Sequence, residues 1–149
     1  MALIDMVAEK IVKIPLESKD KPDVLRELVR ILKDADEIDD FETALKAVQE
    51  REDRQSTGLE KGIAVPHAKT VAVSSLKLAI GIAPQGIDFD SLDGEPSKLF
   101  FLLLAPPGQS GPHVEALAEI AKLANSKSFC KALINSNDAR EVVELMKGE

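Results

Sequence analysis

Apolar residues fall along this chain in two rhythms, and the rhythm changes several times. In KPDVLRELVRILKDA, residues Val24, Leu25, Leu28, Val29 and Leu32 recur at three- and four-residue spacing, which predicts a helix with one buried face. Pro22 suits its first turn, where a backbone N–H would go unbonded anyway. Phe41, Ala44, Leu45 and Val48 repeat the pattern and predict a second helix, capped by Asp39 or Asp40 and leaving through the charged run QERED. Ahead of both, Val12, Ile14 and Leu16 alternate with Lys13 and Pro15. This alternation predicts a short edge strand, because Pro15 cannot donate to a ladder.

Extended segments follow at 62–65 (GIAV), 76–82 (LKLAIGI) and 99–105 (LFFLLLA). Leu76, Leu78, Ile80 and Ile82 alternate with Lys77, Ala79 and Gly81, as on a strand with one more crowded face. The run from Leu99 to Leu104 has no polar member and predicts a central strand covered on both sides. A short strand around Ile87 to Phe89 is expected before the turn DGEP. The last third reads as helical. Val114, Leu117, Ala118 and Ala121 form one stripe; Ala139, Val142, Val143 and Met146 form another behind an Asn137 cap; a shorter helix around Phe129, Leu133 and Ile134 lies between them. With no internal repeat or linker, residues 1–149 are expected to form one α/β domain, with α+β as the variant: a mixed sheet of about five strands flanked by helices.

Composition narrows the classes of function. Apolar residues make up 44% and charged residues 30%, the balance of a folded globular chain. The opening MALIDMVAEK carries Asp5 and Glu9 where a secretory signal would be basic and then apolar, so a cytoplasmic protein is expected. The longest apolar run, Leu99 to Ala105, is far short of the ~20 residues of a membrane-spanning helix, so no direct membrane insertion is expected. The single cysteine, Cys130, has no companion at metal-ligand spacing and reads as a partly buried structural thiol. A net charge of −7 argues against nucleic acid as a ligand. Even so, Arg51, Arg54, Lys61 and Lys69 gather in sequence around one histidine and could set up a local positive field there.

The chain has two histidines, His67 and His113, each in a turn-rich setting. His67 ends the run GIAVPH, where a strand end would present the ring at a surface cleft on a rigid support. His113 follows GQSGP at the start of a helix, with Ser110 or Gly111 near the cap and Pro112 near the first position. There, helix amides would favour a neutral ring that can donate to a phosphoryl oxygen. Either histidine alone could be merely structural. The stretch REDRQSTGLEKGIAVPHAKT joins His67 to groups with complementary chemistry. Arginine can grip phosphate through paired N–H donors, Ser56 and Thr57 offer hydroxyls before Gly58, and neutral imidazole can attack phosphorus. No Walker-type GxxxxGK[ST] is present, so nucleotide is not the obvious phosphoryl donor. A histidine-metal hydrolase using Asp88 or Asp90 as third ligand is the reading from another class, and it lacks tight ligand spacing.

REDRQSTGLEKGIAVPHAKT resembles the active-site signature of the fructose and mannitol class of enzyme IIA in the bacterial phosphoenolpyruvate-dependent sugar phosphotransferase system, approximately RE, then STG, then GIAxPH. The segment from IDFDSLDGEPSKLFFLLLAPPG to SGPHVEALAEIAKLA resembles that family's second half. The resemblance implies that His67 is the phosphorylated histidine, His113 the second active-site histidine and Arg51 the arginine of the RE motif, with Ser56 and Thr57 assigned to phosphate binding. The family commonly has glycine after the active PH, where this chain has Ala68. By similarity the histidine phosphocarrier protein is the donor and a IIB component the acceptor, with no cofactor and no metal. The implied function is phosphoryl carriage for fructose- or mannitol-type uptake. The alternative is a nitrogen-type regulatory enzyme IIA that binds target proteins according to its phosphorylation state. Transfer between two proteins further implies that His67 lies in a shallow depression with an apolar rim.

Overall fold

A computed structural model describes residues 3–148. After two 3₁₀ turns, the chain runs through β1 (Val12–Lys13), α1 (Lys21–Asp34), α2 (Phe41–Arg54), β2 (Ile63–Ala64), β3 (His67–Lys69), β4 (Lys77–Ile87), β5 (Ser97–Ala105), α3 (Ser110–Ala124), α4 (Lys127–Ile134) and α5 (Ala139–Met146). The sheet has five strands in the order β1-β4-β5-β2, with β3 also on β5. β1 lies parallel to β4, β4 antiparallel to β5, and both β2 and β3 parallel to β5. This is the single mixed α/β domain expected, with the Val12 segment on an edge but reduced to two residues.

β5 organises the molecule. Every residue from Leu99 to Ala105 is at most 1% exposed. Since successive side chains point to opposite faces, both faces of this strand are covered. On β4 the small residues have a packing reason: a Cβ at Gly81 would come within 2.8 Å of Leu16 and Leu28, so glycine lets α1 and the segment before it close onto the sheet. The expected separate strand at Ile87 to Phe89 is instead the tail of β4, which continues past an irregularity between Ile82 and Ile87. Pro84 has no N–H to donate and Gly86 takes φ +81, so pairing slips there without ending. Phe89 lies beyond the strand, fully buried and edge-on to Phe100 at 5.4 Å.

Helix ends follow side-chain chemistry more closely than hydrophobic spacing alone conveys. Asp20 accepts from Asp23 N and caps α1; Asp40, one of the two expected candidates, accepts from Thr43 N and caps α2. α5 is capped by Asp138 rather than Asn137, whose amide instead donates to Glu141. The QERED run does not leave α2 but forms its end. α3 starts at Ser110 with Gln109 at its cap, so Pro112 and His113 lie one or two residues deeper than expected. Its buried face is His113, Ala116 and Ile120, whereas Val114 is 62% exposed and Ala118 and Ala121 also face outward. An alanine-rich helix offers two apolar stripes, and here the sheet takes the one containing a histidine. Among the described residues no helix is long and apolar enough to cross a membrane.

Candidate functional site

Pro66 divides what would be one extended run into two short strands along the same edge of β5. Its carbonyl accepts from Leu103 N at 3.0 Å, and His67 then opens β3 opposite Leu103. His67 therefore starts a strand instead of ending one, on the same rigid support. The break has a chemical result: the Val65 carbonyl lies 2.7 Å from His67 Nδ1. A carbonyl can only accept, so Nδ1 carries the proton and Nε2 is left with its lone pair.

His113 on α3 places its ring 5.4 Å from that of His67, edge to face. It is 6% exposed, and its Nε2 is buried without a protein hydrogen-bond partner. Burial pushes both imidazoles below the ordinary histidine value, and nearby Arg51 pushes His67 the same way. The result is two neutral rings in contact, one held with a free nucleophilic nitrogen and the other with an unfilled polar atom.

Two hollows flank His67. One, about 270 Å³, is walled by Arg51, Ser56, Thr57, Leu92 and Leu117; the other, about 400 Å³, by Arg51, Arg54, Lys69 and His113. Arg51 borders both. One of its N–H groups donates to the Gln55 carbonyl at 2.9 Å, which fixes the guanidinium, and among the described residues its other donors make no further hydrogen bond. Lys69 Nζ donates to Ser110 Oγ at 2.8 Å, tying β3 to the start of α3. Of the four basic residues grouped with His67 in sequence, Lys61 lines neither hollow. The β2 segment carries it away, to the opposite end of the β5 edge. The first hollow is bordered by an exposed apolar side chain, Leu92, at 70%.

The hydroxyls of the STG segment are already at work. Ser56 Oγ donates to the Phe89 carbonyl at 2.7 Å, and Thr57 Oγ1 donates to Glu52 Oε2 at 2.6 Å. They shape the wall of the hollow, and their protons are not free for an anion. Gly58 completes that wall: a Cβ there would sit 2.8 Å from both the Phe89 carbonyl and Ser91 Oγ, so no larger residue fits without moving the loop.

Glu52 is the residue that sequence reasoning missed. It looked like one charge among several in QERED, yet it is 5% exposed and its carboxylate accepts from Thr57 N at 2.7 Å as well as from the hydroxyl. Lys21 Nζ lies 3.0 Å from the same carboxylate. The only available signal was positional: Glu52 lies four residues after Val48, on the buried face of α2. Asp90, considered as a metal ligand, faces Lys21 at 3.4 Å. Among the described residues no three His, Cys, Asp or Glu side chains gather where they could hold a metal ion.

Comparison with known proteins agrees with this geometry. Residues 5–149 match the family described as phosphoenolpyruvate-dependent sugar phosphotransferase system, EIIA 2. The chain is 32% identical over 146 residues to the PTS system fructose-specific EIIABC component of Bacillus subtilis, covering 98% of this chain but 23% of that protein. It is 33% identical over 147 residues to a nitrogen regulatory protein of Bradyrhizobium diazoefficiens, covering 98% of this chain and 95% of that one. Its backbone matches the crystal structure of nitrogen regulatory protein IIA-Ntr from Neisseria meningitidis with a TM-score of 0.88 at 26% identity, over 97% of this chain and 98% of that one. The chain therefore belongs to the EIIA 2 family of the phosphoenolpyruvate-dependent sugar phosphotransferase system, phosphoryl carriers that work through a histidine.

Proposed function

We propose that this chain is a regulatory enzyme IIA of the nitrogen type, which accepts a phosphoryl group on His67 Nε2 from the histidine phosphocarrier protein and binds target proteins according to its phosphorylation state. The choice of nitrogen branch rests on the backbone agreement with the Neisseria regulatory protein, joined to the 33% identity with the Bradyrhizobium one. The choice of atom rests on the Nδ1 contact with the Val65 carbonyl.

In the transfer, Nε2 attacks phosphorus in line with the donor's P–N bond. The new N–P bond forms as the old one breaks, and the donor imidazole leaves with the bonding electron pair. The proton on Nδ1 stays in place, and the Val65 carbonyl stabilises the positive charge that the phosphorylated ring acquires. Arg51 neutralises phosphoryl oxygens from the junction of the two hollows, and His113 Nε2, protonated in a neutral ring, donates to another. Leu92 and Leu117, which line the first hollow, provide the apolar surface on which the donor excludes water.

Transport is the second reading, with a IIB component of a fructose- or mannitol-type permease as acceptor; the 32% identity to the Bacillus fructose component favours it. The test is to phosphorylate the chain with phosphoenolpyruvate, enzyme I and the histidine phosphocarrier, then add purified fructose- and mannitol-type IIB domains. Retention of the phosphoryl group supports the regulatory reading, and rapid passage to either domain overturns it.

Both rings should be neutral at pH 7, because burial lowers both below the ordinary histidine value. A pH titration followed by nuclear magnetic resonance of the ring carbons should place the midpoints of His67 and His113 below the ordinary value of about 6.5. Nitrogen shifts should report the Nδ1–H form of His67. The sign for stability follows. The unfolded chain binds these protons at higher pH than the folded one, so the contribution is complete above about pH 6.5 and is lost as pH falls through the lower folded values. A His67 midpoint above 6.5 would contradict the burial argument.

A further inference from the structure

Lys61 is the basic residue of the signature segment that the phosphoryl site does not use. Its backbone takes the left-handed conformation, with φ 62, and its N–H donates to Asp93 Oδ2 at 3.1 Å. The next carbonyl, of Gly62, accepts from Lys98 N at 2.7 Å, so the backbones carrying Lys61 and Lys98 are tied together at the start of β5. Across from them α4 carries Lys127 and Lys131, four residues apart and so on one face. These four lysines line one pocket of about 360 Å³, together with the apolar surface of Cys130 and Ile134.

Among the described residues no carboxylate lines this pocket. Among the described residues none of the four ammonium groups makes an ion pair within 4.0 Å. This is unusual on a chain of net charge −7, because a solvated charged face normally interleaves the two signs. Four like charges around one pocket repel one another, and salt with a Debye length of roughly 8 Å weakens that repulsion without abolishing it at close range. A polyanion would relieve it.

We propose that this pocket binds a small, multiply phosphorylated metabolite, at a site distinct from the phosphoryl-acceptor histidine. The volume falls in the range of small-molecule sites, and a concave wall with an apolar part suits a compact ligand better than an extended acidic segment. Lysine binds phosphate as a point charge, and four of them match two or more phosphate groups. The site lies beside Leu99 on β5, whereas His67 pairs with Leu103, so occupancy leaves the phosphoryl site open.

The test is a titration of the full chain with inorganic pyrophosphate and with adenosine triphosphate, followed by backbone amide shifts. Citrate and an acidic peptide serve as comparisons. Expected are saturable shifts at Lys61, Lys98, Lys127 and Lys131, with affinity falling at least about tenfold for each of Lys98→Gln and Lys131→Gln. Both residues are exposed, so both variants should keep the parental fold and accept phosphate on His67 at the parental rate. Three results would overturn the proposal: shifts confined to the surroundings of Arg51 and Arg54, equal affinity in the glutamine variants, or saturable binding of the peptide alone.

Discussion

Purified His67→Ala is expected to take up no acid-labile phosphate from phosphoenolpyruvate, enzyme I and the histidine phosphocarrier, while the parent chain is labelled to completion. The effect is total if, as proposed, Nε2 of His67 is the atom that bonds to phosphorus. His113 is a turn inside α3 and 6% exposed, so a donor protein cannot bring its own ring within one phosphoryl group of it. His67→Ala should still fold, since it loses one hydrogen bond to the Val65 carbonyl, worth about 1 kcal/mol. Arg51→Ala and His113→Ala should slow transfer without abolishing it. Losing one positioned donor costs roughly 2–4 kcal/mol of transition-state stabilisation, or about 30- to 1000-fold in single-turnover rate. Label that persists in His67→Ala, mapped by mass spectrometry, would reject the assignment. Parental rates in both supporting variants would reject their roles.

The fold was legible where one force dominated. The unbroken apolar run at 99–105 pointed to a strand covered on both faces, and α1 and α2 followed from spacing, helped by Pro22 in the first turn of α1 and a carboxylate at the cap of α2. Reading failed where two arrangements were nearly equal. α3 presents both His113-Ala116-Ile120 and Val114-Ala118-Ala121 as narrow stripes, and hydropathy favours the second because it scores histidine as polar. The sheet selects the first, which puts the imidazole against its partner ring. The same limit applies to charge. Lys61 lies six residues from His67 in sequence, but an extended chain covers about 3.3 Å per residue, so β2 carries it to the far end of the strand. The grouping of the candidate site was readable because His67, Arg51 and the turn at 56–58 sit within one segment, and they do line one hollow. Its electrostatic state was not, because the tautomer of His67 depends on where Pro66 aims a carbonyl.

Glu52→Ala is expected to destabilise the chain by about 3 kcal/mol and to impair transfer although the residue touches no phosphate. The carboxylate is the common acceptor for Thr57 N, Thr57 Oγ1 and Lys21 Nζ at 2.7, 2.6 and 3.0 Å. Removing it leaves a buried N–H and a buried hydroxyl without an acceptor, and breaking a buried pair in this way typically costs about 3–5 kcal/mol. The lower end applies, because the Lys21 side chain is 20% exposed and keeps Asp90 at 3.4 Å. For a chain of this size the loss corresponds to a fall of roughly 6–12 °C in Tm. Glu52→Gln keeps one acceptor for Thr57 N and offers an amide donor to the hydroxyl, so about half of the stability should return. Transfer should follow the same order, since residues 56–58 form the wall beside His67 and Arg51. The ring itself should keep its Nδ1 contact, because Val65 lies between Ala64, paired with Phe100 on β5, and Pro66, whose carbonyl accepts from Leu103 N at 3.0 Å. The measurements are thermal and urea unfolding of both variants, with single-turnover transfer at a temperature where each is folded. If Glu52→Ala melts within a degree of the parent, the buried carboxylate does not hold the loop. If it melts early but transfers at the parental rate, the loop does not shape the site.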